Sequence, residues 1–229
     1  MKDISLIAFD ADDTLWECQT YFEAVEKEYC ELLKSYASAD EISKALFAVE
    51  TANMSLLGYG SKAFLLSLLE NAIEVSGGRL KADEVEKIIK LGKELLQLPG
   101  KPMDGVEETL KVLHERGEYH LVVFTKGELL DQENKFHRSG LKPYFDNIIV
   151  VSDKTEASYY QLCERFSINV EQLLMVGNSF RSDIEPVLKL GGWAAHIPFH
   201  TTWQHEVIEE YEHPHLLKLE YFAQLKQVL

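Results

Sequence analysis

The first element that the hydrophobic pattern predicts is a buried strand at residues 4–9. Five of these six residues are apolar, and Ser5 is the exception. A continuous apolar run of this length is typical of a strand covered on both faces, as in a parallel sheet. Polar residues follow at once: Asp10, Asp12, Asp13 and Thr14. So much negative charge predicts a neutralising cation nearby, although Asp and Thr also form ordinary turns and helix caps.

Residues 17–99 have helical spacing throughout. Apolar residues recur there at three- and four-residue steps in four successive stretches, which predicts four amphipathic helices. A capping-box pattern at Ser38 begins the second helix, and Ser61 is a candidate cap for the third. No strand pattern occurs in this block. It is therefore predicted to be an all-helical insert, 17–99, between the two parts of an α/β core, 1–16 and 100–229.

From Gly105 onwards, strand and helix patterns alternate. Strands are predicted at 120–125, 147–152, 173–177 and 193–197, with helices at 106–116, 129–139, 158–166 and 184–190. Such alternation is typical of a doubly wound parallel sheet with a Rossmann-like α/β core. The segment from His205 onwards is predicted to be helical. The five histidines from His196 to His215 have no zinc spacing and are predicted to be scattered over the surface.

Polar side chains follow four of the predicted strands at the point where each strand ends. In order, they are Asp10 and Asp12; Thr125, Lys126 and Gly127; Lys154; and Asn178 with Asp183. Helix caps, turns or solvated charges would explain each of them alone. Ligands of open α/β sheets bind at the carboxyl ends of the strands, so the shared edge predicts a single site. The hydroxyl of Thr125 and amides at the following helix start could bind phosphate oxygens.

The composition of the 229-residue chain limits the kinds of molecule that it is expected to bind. A net charge of −15 disfavours binding to nucleic acid or to an anionic membrane, and an anionic substrate would need local cations. No apolar run is long enough to cross a membrane, and no signal-peptide pattern is present. Cys18, Cys30 and Cys163 have no metal or redox spacing. We therefore expect free thiols in a reducing cytoplasm, with no membrane or nucleic-acid partner.

The four strand-end motifs together resemble those of the haloacid dehalogenase-like hydrolases. The family pattern is D-x-D-x-T, then a Ser or Thr, then a Lys, then an acidic loop. This chain has D-A-D-D-T, F-T-K-G, S-D-K-T and V-G-N-S-F-R-S-D in that order. The resemblance covers the whole chain, including a helical cap between the first and second motifs. One departure is Asn178, where many relatives carry Asp; its amide oxygen is still a hard ligand but contributes no charge.

The resemblance implies a Mg²⁺-dependent phosphatase that hydrolyses a small phosphorylated metabolite through an aspartyl-phosphate. Asp10 would be the nucleophile, and Asp12 the general acid and base. The Mg²⁺ ligands would be Asp10, the backbone carbonyl of Asp12, and the Asn178–Asp183 loop. The phosphate would be bound by Thr125, Lys126, Gly127 and Lys154. Thr14 would fix the turn, and Asp13 would be a turn residue without a catalytic role.

Other activities on the same core remain open at this stage. A phosphomutase would share every core motif. A dehalogenase would use the same nucleophile but would not need an acid at Asp12, and a non-catalytic phosphate-binding protein would usually lack the nucleophile or Lys154. The cap is expected to select the leaving group, with Tyr59 and Lys62 as specificity candidates or as part of a plain turn. The sequence specifies neither the substrate nor the oligomeric state.

Overall fold

Six parallel strands form one sheet within residues 3–229, which the computed structural model describes. The strands are β1 (Leu6–Phe9), β2 (His120–Lys126), β3 (Asn147–Val151), β4 (Leu173–Gly177), β5 (Trp193–His196) and β6 (Leu216–Lys218). Their order across the sheet is β3-β2-β1-β4-β5-β6, and each neighbouring pair is parallel. This topology confirms the predicted doubly wound parallel sheet.

β1 lies at the centre of the sheet because both of its faces are apolar. Its four residues are fully buried. Leu6 pairs with His120 of β2 on one side and with Leu173 of β4 on the other. Ile7 and Phe9 pack into the core on one face, and the alternate residues Leu6 and Ala8 pack into the core on the opposite face. Because all strands run in one direction, the residues that follow β1, β2 and β4 meet at one edge.

Helices cover both faces of this sheet. Within residues 3–229 the helices are α1 (Gln19–Leu33), α2 (Ala39–Leu57), α3 (Ser61–Val75), α4 (Ala82–Leu95), α5 (Val106–Arg116), α6 (Leu129–Ser139), α7 (Glu156–Phe166), α8 (Glu185–Lys189) and α9 (Leu225–Val228), and those that cover the sheet come from α5 to α9. Side chains of α5, α6 and α9 pack on the face of Phe9, and those of α7 and α8 pack on the other face. Short helical turns lie at Lys142–Tyr144, Val170–Gln172, Phe180–Ile184, Gln204–Glu206 and Phe222–Gln224.

The chain divides into two compact units, one formed by Thr20–Leu98 and the other by the segments before and after it. The Thr20–Leu98 unit is entirely helical apart from its turns. Ser38 begins α2 with the predicted capping box, in which its hydroxyl accepts from the Glu41 amide. The predicted cap at Ser61 is wrong, because Gly60, with φ of 116°, precedes α3 and Ser61 is its first helical residue. The predicted bounds of the helical domain, 17–99, and of the two core segments on either side of it stay a prediction.

The end of the chain differs from the predicted helix. It contains β6, which pairs with β5 at the edge of the sheet, and only the single short helix α9. Pro214 disfavours helix at the residue before it, and a short apolar run such as Leu216–Leu217 is ambiguous between helix and strand. The free edge of β5 decides the outcome, because pairing there satisfies the backbone groups of both strands.

The cysteines agree with the prediction of free thiols. Cys18, Cys30 and Cys163 carry free thiols, and all three are buried. None of the helices in residues 3–229 is both long and apolar enough to span a membrane.

Candidate active site

Asp10 is placed by the end of β1 and by the turn that follows it. Its backbone amide donates to the Val176 carbonyl at 2.8 Å, which continues the β1–β4 ladder by one residue. The chain then turns sharply, and Asp13 adopts the left-handed conformation with φ of 61°. The Asp13 carboxylate accepts from the amides of Cys18 at 2.8 Å and Gln19 at 3.0 Å. Asp13 thus closes the turn and caps the start of α1, as a turn residue does.

Lys154 joins two acidic side chains at this edge. Its ammonium donates to Asp10 Oδ1 and, at 2.6 Å, to Asp183 Oδ1. All three residues are buried, and Lys154 is 4% exposed. Burial lowers the pKa of Lys154, but the charges of Asp10 and Asp183 outweigh it and raise the pKa. Two carboxylates therefore converge on one positive charge in a water-poor site, where unpaired charges would be strongly unfavourable.

Asp10 itself is difficult to ionise when no metal is bound. Burial raises its pKa to about 7, and the charge of Asp183 adds to that effect while Lys154 opposes it. The other Asp10 oxygen, Oδ2, lies 3.2 Å from the Thr14 hydroxyl. The same hydroxyl lies 3.1 Å from Asn178 Oδ1, and with one proton it can donate to only one of the two oxygens at a time. Thr14 thus holds the Asn178 amide beside Asp10.

The loop after β4 presents Asn178 and Asp183 to the site. A π-helical turn at Phe180–Ile184 follows Asn178, and Asp183 Oδ2 accepts from the Ser179 amide at 3.0 Å. Gly177 makes this packing possible, because a Cβ there would lie 2.2 Å from Asp183 Oδ2. Any larger residue at Gly177 would displace the Asp183 carboxylate.

His196 supports the same loop from β5. Its Nε2 donates to the Asn178 carbonyl at 3.0 Å, and the residue is 4% exposed. The prediction of a surface histidine is therefore wrong for His196. The cause is the parallel register, which pairs Gly177 with His196 and directs the imidazole against the loop.

The oxygen atoms around Lys154 suit a hard divalent cation. Asp10 and Asp183 supply carboxylates, and Asn178 supplies an amide oxygen. Mg²⁺ typically takes one or two carboxylates and keeps several waters, so this small donor set fits it. No group of three or more His, Cys, Asp or Glu side chains that could hold a metal ion is found in residues 3–229. The contact of both carboxylates with one ammonium indicates that the site accommodates positive charge.

Asp12 is held by a separate network. Its carboxylate accepts from Trp16 Nε1 at 2.7 Å, from Gln132 Nε2 at 2.9 Å, and from Lys135 Nζ at 2.7 and 2.8 Å. Burial would raise the pKa of Asp12, but the Lys135 charge and these hydrogen bonds lower it below its ordinary value. Lys135 is 3% exposed and also lies 3.8 Å from Asp131. Asp10 and Asp12, two residues apart, thus have opposite pKa shifts because their neighbours differ.

The end of β2 only partly matches the predicted phosphate site. Thr125 is buried near the carboxyl end of β2, and the Lys126 ammonium contacts the Glu206 carboxylate and the Ser182 hydroxyl. The Gly127 amide donates to the Val151 carbonyl at 3.1 Å, so it is already used. The expectation that the Gly127 amide is free to bind phosphate is therefore wrong. The hydrogen bonds between β2 and β3 extend further along the chain than the apolar pattern of β2 predicted.

Gln132, Lys135 and Glu206 are among the side chains of the site that were not predicted from the sequence. Gln132 and Lys135 lie one helical turn apart on the buried face of α6. The sequence gives little signal for this, because the buried residues of α6 are polar apart from Phe136 and have the pattern of a solvent-exposed face. Glu206 carries no motif, because its partners come from β2 and from the loop after β4.

Of the predicted specificity residues, Tyr59 lies in the turn between α2 and α3, and Lys62 lies in the first turn of α3. Tyr59 is half-buried and Lys62 is exposed. Their role in substrate selection stays a prediction.

The stability of the metal-free protein should decrease as the pH rises from about 4 to about 7. Because the pKa of Asp10 is raised from 3.8 to about 7, the folded protein keeps a proton that the unfolded chain releases. Asp13 has its pKa raised in the same direction by burial. Urea unfolding in chelator at pH 5 and pH 8 should show a loss of roughly 1–3 kcal/mol. Asp10→Asn should reduce this pH dependence, and an unchanged pH dependence in that variant would contradict the raised pKa of Asp10.

Comparison with known proteins gives the context of this site. A crystal structure of a haloacid dehalogenase-like family hydrolase from Xanthomonas campestris is 35% identical to the chain, with a TM-score of 0.86 over 95% of this chain and 87% of that one. The haloacetate dehalogenase H-2 of Moraxella sp. (strain B) is 27% identical over 185 residues, 78% of this chain and 79% of that protein. A Bacillus subtilis HAD-hydrolase crystallised with bound magnesium is 16% identical, with a TM-score of 0.68 over 99% of both chains, and indicates the fold alone.

The family model of the haloacid dehalogenase-like hydrolases matches residues 4–191. The match begins within the first apolar run and includes all four strand-end motifs, and it therefore covers Asp10, Lys154, Asn178 and Asp183 together. With most of the chain inside the match, this protein belongs to the haloacid dehalogenase-like hydrolase family.

Proposed function

We propose that the chain is a Mg²⁺-dependent phosphatase that hydrolyses a small phosphorylated metabolite through an aspartyl-phosphate on Asp10. The observation that carries the proposal is the convergence of Asp10 and Asp183 on the buried Lys154 ammonium, with the Asn178 amide oxygen beside them. A nucleophilic carboxylate needs such neutralisation most when its target is itself an anion, as a phosphate ester is.

Asp10, Asn178, Asp183 and the backbone carbonyl of Asp12 would hold the Mg²⁺. When bound, the ion would act as a Lewis acid that offsets the negative charge of the phosphoryl oxygens. Lys154 would supply the second positive charge at the same oxygens, since its ammonium already contacts Asp10. Thr125 would bind a remaining phosphate oxygen through its hydroxyl.

The two carboxylates have different tasks in this scheme. An Asp10 oxygen attacks phosphorus, and the bond from phosphorus to the leaving oxygen breaks while Asp12 gives that oxygen its proton. A water then attacks the phosphorus of the aspartyl-phosphate and gives its proton to the Asp12 carboxylate, and the bond from phosphorus to Asp10 breaks to release inorganic phosphate and the free Asp10 carboxylate. Lys135 and Gln132 orient Asp12 and favour its carboxylate form, which is the form that takes the proton from water.

Haloacid dehalogenation is the second candidate, because the Moraxella relative bears that name at 27% identity. It would use Asp10 on carbon rather than phosphorus, and would need neither a metal nor Asp12. A phosphomutase would share the whole core and differ in returning the phosphoryl group to substrate. Within the cap, Tyr59 and Lys62 are our candidates for residues that select the leaving group.

Parallel assays of p-nitrophenyl phosphate and of chloroacetate and fluoroacetate separate these activities. We expect phosphate release that requires Mg²⁺ and stops in excess chelator, and no halide release. A panel of sugar phosphates and nucleoside monophosphates would then identify the substrate class. Halide release without metal, together with no phosphate release, would assign the protein as a dehalogenase instead.

Asp12→Asn should uncouple the two half-reactions. With p-nitrophenyl phosphate, whose leaving group departs without a proton, we expect a burst of about one nitrophenol per enzyme, followed by turnover slowed by ~10²–10⁴-fold. Phosphate should accumulate on Asp10 during the slow phase, and rapid-quench mass spectrometry would detect it. The exposed Asp104→Asn variant is the matched control and should behave as wild type. Loss of the burst with Mg²⁺ still bound would show that Asp12 acts before the intermediate forms.

A further inference from the structure

We infer that Glu206 is a positioning residue that sets the affinity of the Asn178–Asp183 loop for its metal. The inference deepens the proposed function and rests on it. Glu206 lies in the single helical turn Gln204–Glu206, beyond β5, and is 8% exposed. A buried carboxylate at the end of an irregular segment needs specific partners, and Glu206 has them on both of its oxygens.

The contacts of Glu206 come from the ends of two strands. Oε1 accepts from the Lys126 ammonium, at the end of β2. Oε2 accepts from the Ser179 hydroxyl and, at 2.6 Å, from the Ser182 hydroxyl, both in the loop after β4. Lys126 also donates to the Ser182 hydroxyl at 2.9 Å. One carboxylate thus ties the second strand-end motif to the fourth.

The path from Glu206 to the candidate metal ligand runs through Ser179. With its hydroxyl proton given to Glu206, Ser179 Oγ accepts from the Ser182 amide at 3.1 Å. The Ser179 amide donates to Asp183 Oδ2 at 3.0 Å, and its carbonyl accepts from the Asp183 amide at 2.9 Å. Glu206 therefore fixes the rotamer of the residue that holds both the carboxylate and the backbone of Asp183.

Glu206 acts through these neighbours rather than on the metal itself. Both of its oxygens already accept hydrogen bonds, one from Lys126 and the other from two serine hydroxyls. Burial would raise the pKa of Glu206, but Lys126 and the two serines lower it, so the carboxylate is ionised at neutral pH. Outer groups that orient metal ligands typically change metal affinity by ~10–100-fold when removed.

Titration of Mn²⁺ by electron paramagnetic resonance, without substrate, tests the inference independently of turnover. We expect Glu206→Ala to weaken Mn²⁺ binding ~10–100-fold, and Glu206→Gln, which keeps one acceptor oxygen, to weaken it less. The exposed Glu209→Ala variant in the same segment is the control and should bind as wild type. Calorimetry with Mg²⁺ should give the same ranking.

A double-mutant cycle with Ser179→Ala identifies the route. If Glu206 acts through Ser179, the double variant should bind Mn²⁺ about as weakly as the weaker single variant, whereas independent effects would multiply. Wild-type affinity in folded Glu206→Ala, or in Glu206→Gln where the alanine variant does not fold, would overturn the inference and leave the proposed phosphatase in place. A wild-type protein that binds neither Mn²⁺ nor Mg²⁺ would remove both.

Discussion

Asp10→Asn is expected to reduce phosphate release from p-nitrophenyl phosphate by on the order of 10⁴-fold or more. The asparagine amide has nearly the same shape and can still accept from Lys154 or Thr14, but it is not a nucleophile that can form the aspartyl-phosphate. Both half-reactions would be lost together, unlike in Asp12→Asn. No burst of nitrophenol and no phosphorylated protein should appear in rapid-quench samples.

Thermal unfolding separates this loss from misfolding. Asp10→Asn should melt at or above the wild-type temperature in chelator at pH 8, because the variant no longer buries an aspartate whose pKa is raised to about 7. Asp104→Asn serves again as the exposed control. Full activity in Asp10→Asn, or activity of the wild type in excess chelator, would be incompatible with the proposed mechanism.

Lys154→Met should combine a loss of activity with the largest loss of stability in the metal-free protein. Removing the ammonium leaves the buried carboxylates of Asp10 and Asp183 facing each other without a cation. Breaking a buried charge pair by removing one partner typically costs ~3–5 kcal/mol. Loss of its charge at the phosphoryl oxygens should lower kcat by ~10²–10³-fold.

Urea unfolding of Lys154→Met in chelator, compared with the exposed control Lys101→Met, measures the stability effect. The deficit should be greatest near pH 8 and shrink towards pH 5, since Asp10 takes up a proton as the pH falls through its pKa of about 7. Added Mg²⁺ should restore part of the stability. Wild-type stability of Lys154→Met at pH 8 in chelator would mean that the ammonium does not compensate the two carboxylates.

The fold could be predicted because its main signals are local. Each buried strand is a short apolar run, and in a parallel sheet each run ends where the polar residues begin, so Asp10 and Asn178 mark their own strand ends. The capping box at Ser38 is equally local. β6 could not be predicted because its pairing depends on the free edge of β5 rather than on a pattern of its own.

Some residues of the candidate site could likewise be predicted from local sequence signals, and others could not. Asp10 directly follows β1, and Lys154 and Asp183 lie in the segments that follow β3 and β4, so sheet topology predicts that they meet. Lys135 and Glu206 enter the site from a helix and from an irregular segment, and their partners are distant in sequence. The spacing of such residues along the chain does not indicate which side chains they contact. The expectation that the Gly127 amide is available was wrong for a different reason. The hydrogen bonds between β2 and β3 continue past the residue at which the apolar pattern of β2 ends.

The central position of β1 also has a consequence for the order of folding. β1 pairs with β2 and β4, and both strands lie beyond the helical Thr20–Leu98 unit in the chain. During synthesis this helical unit can therefore form while β1 is still unpaired. Contacts between segments so distant in sequence form slowly, and an unpaired apolar strand favours aggregation in the meantime.

The nascent chain therefore depends on keeping Leu6–Phe9 out of other contacts until Leu173–Gly177 has emerged. Mutations that slow the emergence or pairing of β4 should raise the fraction of aggregated protein even where the final fold is equally stable. Because Asp10 becomes fixed only when its amide reaches the Val176 carbonyl, the proposed nucleophile is also among the last groups to be positioned in a newly made molecule.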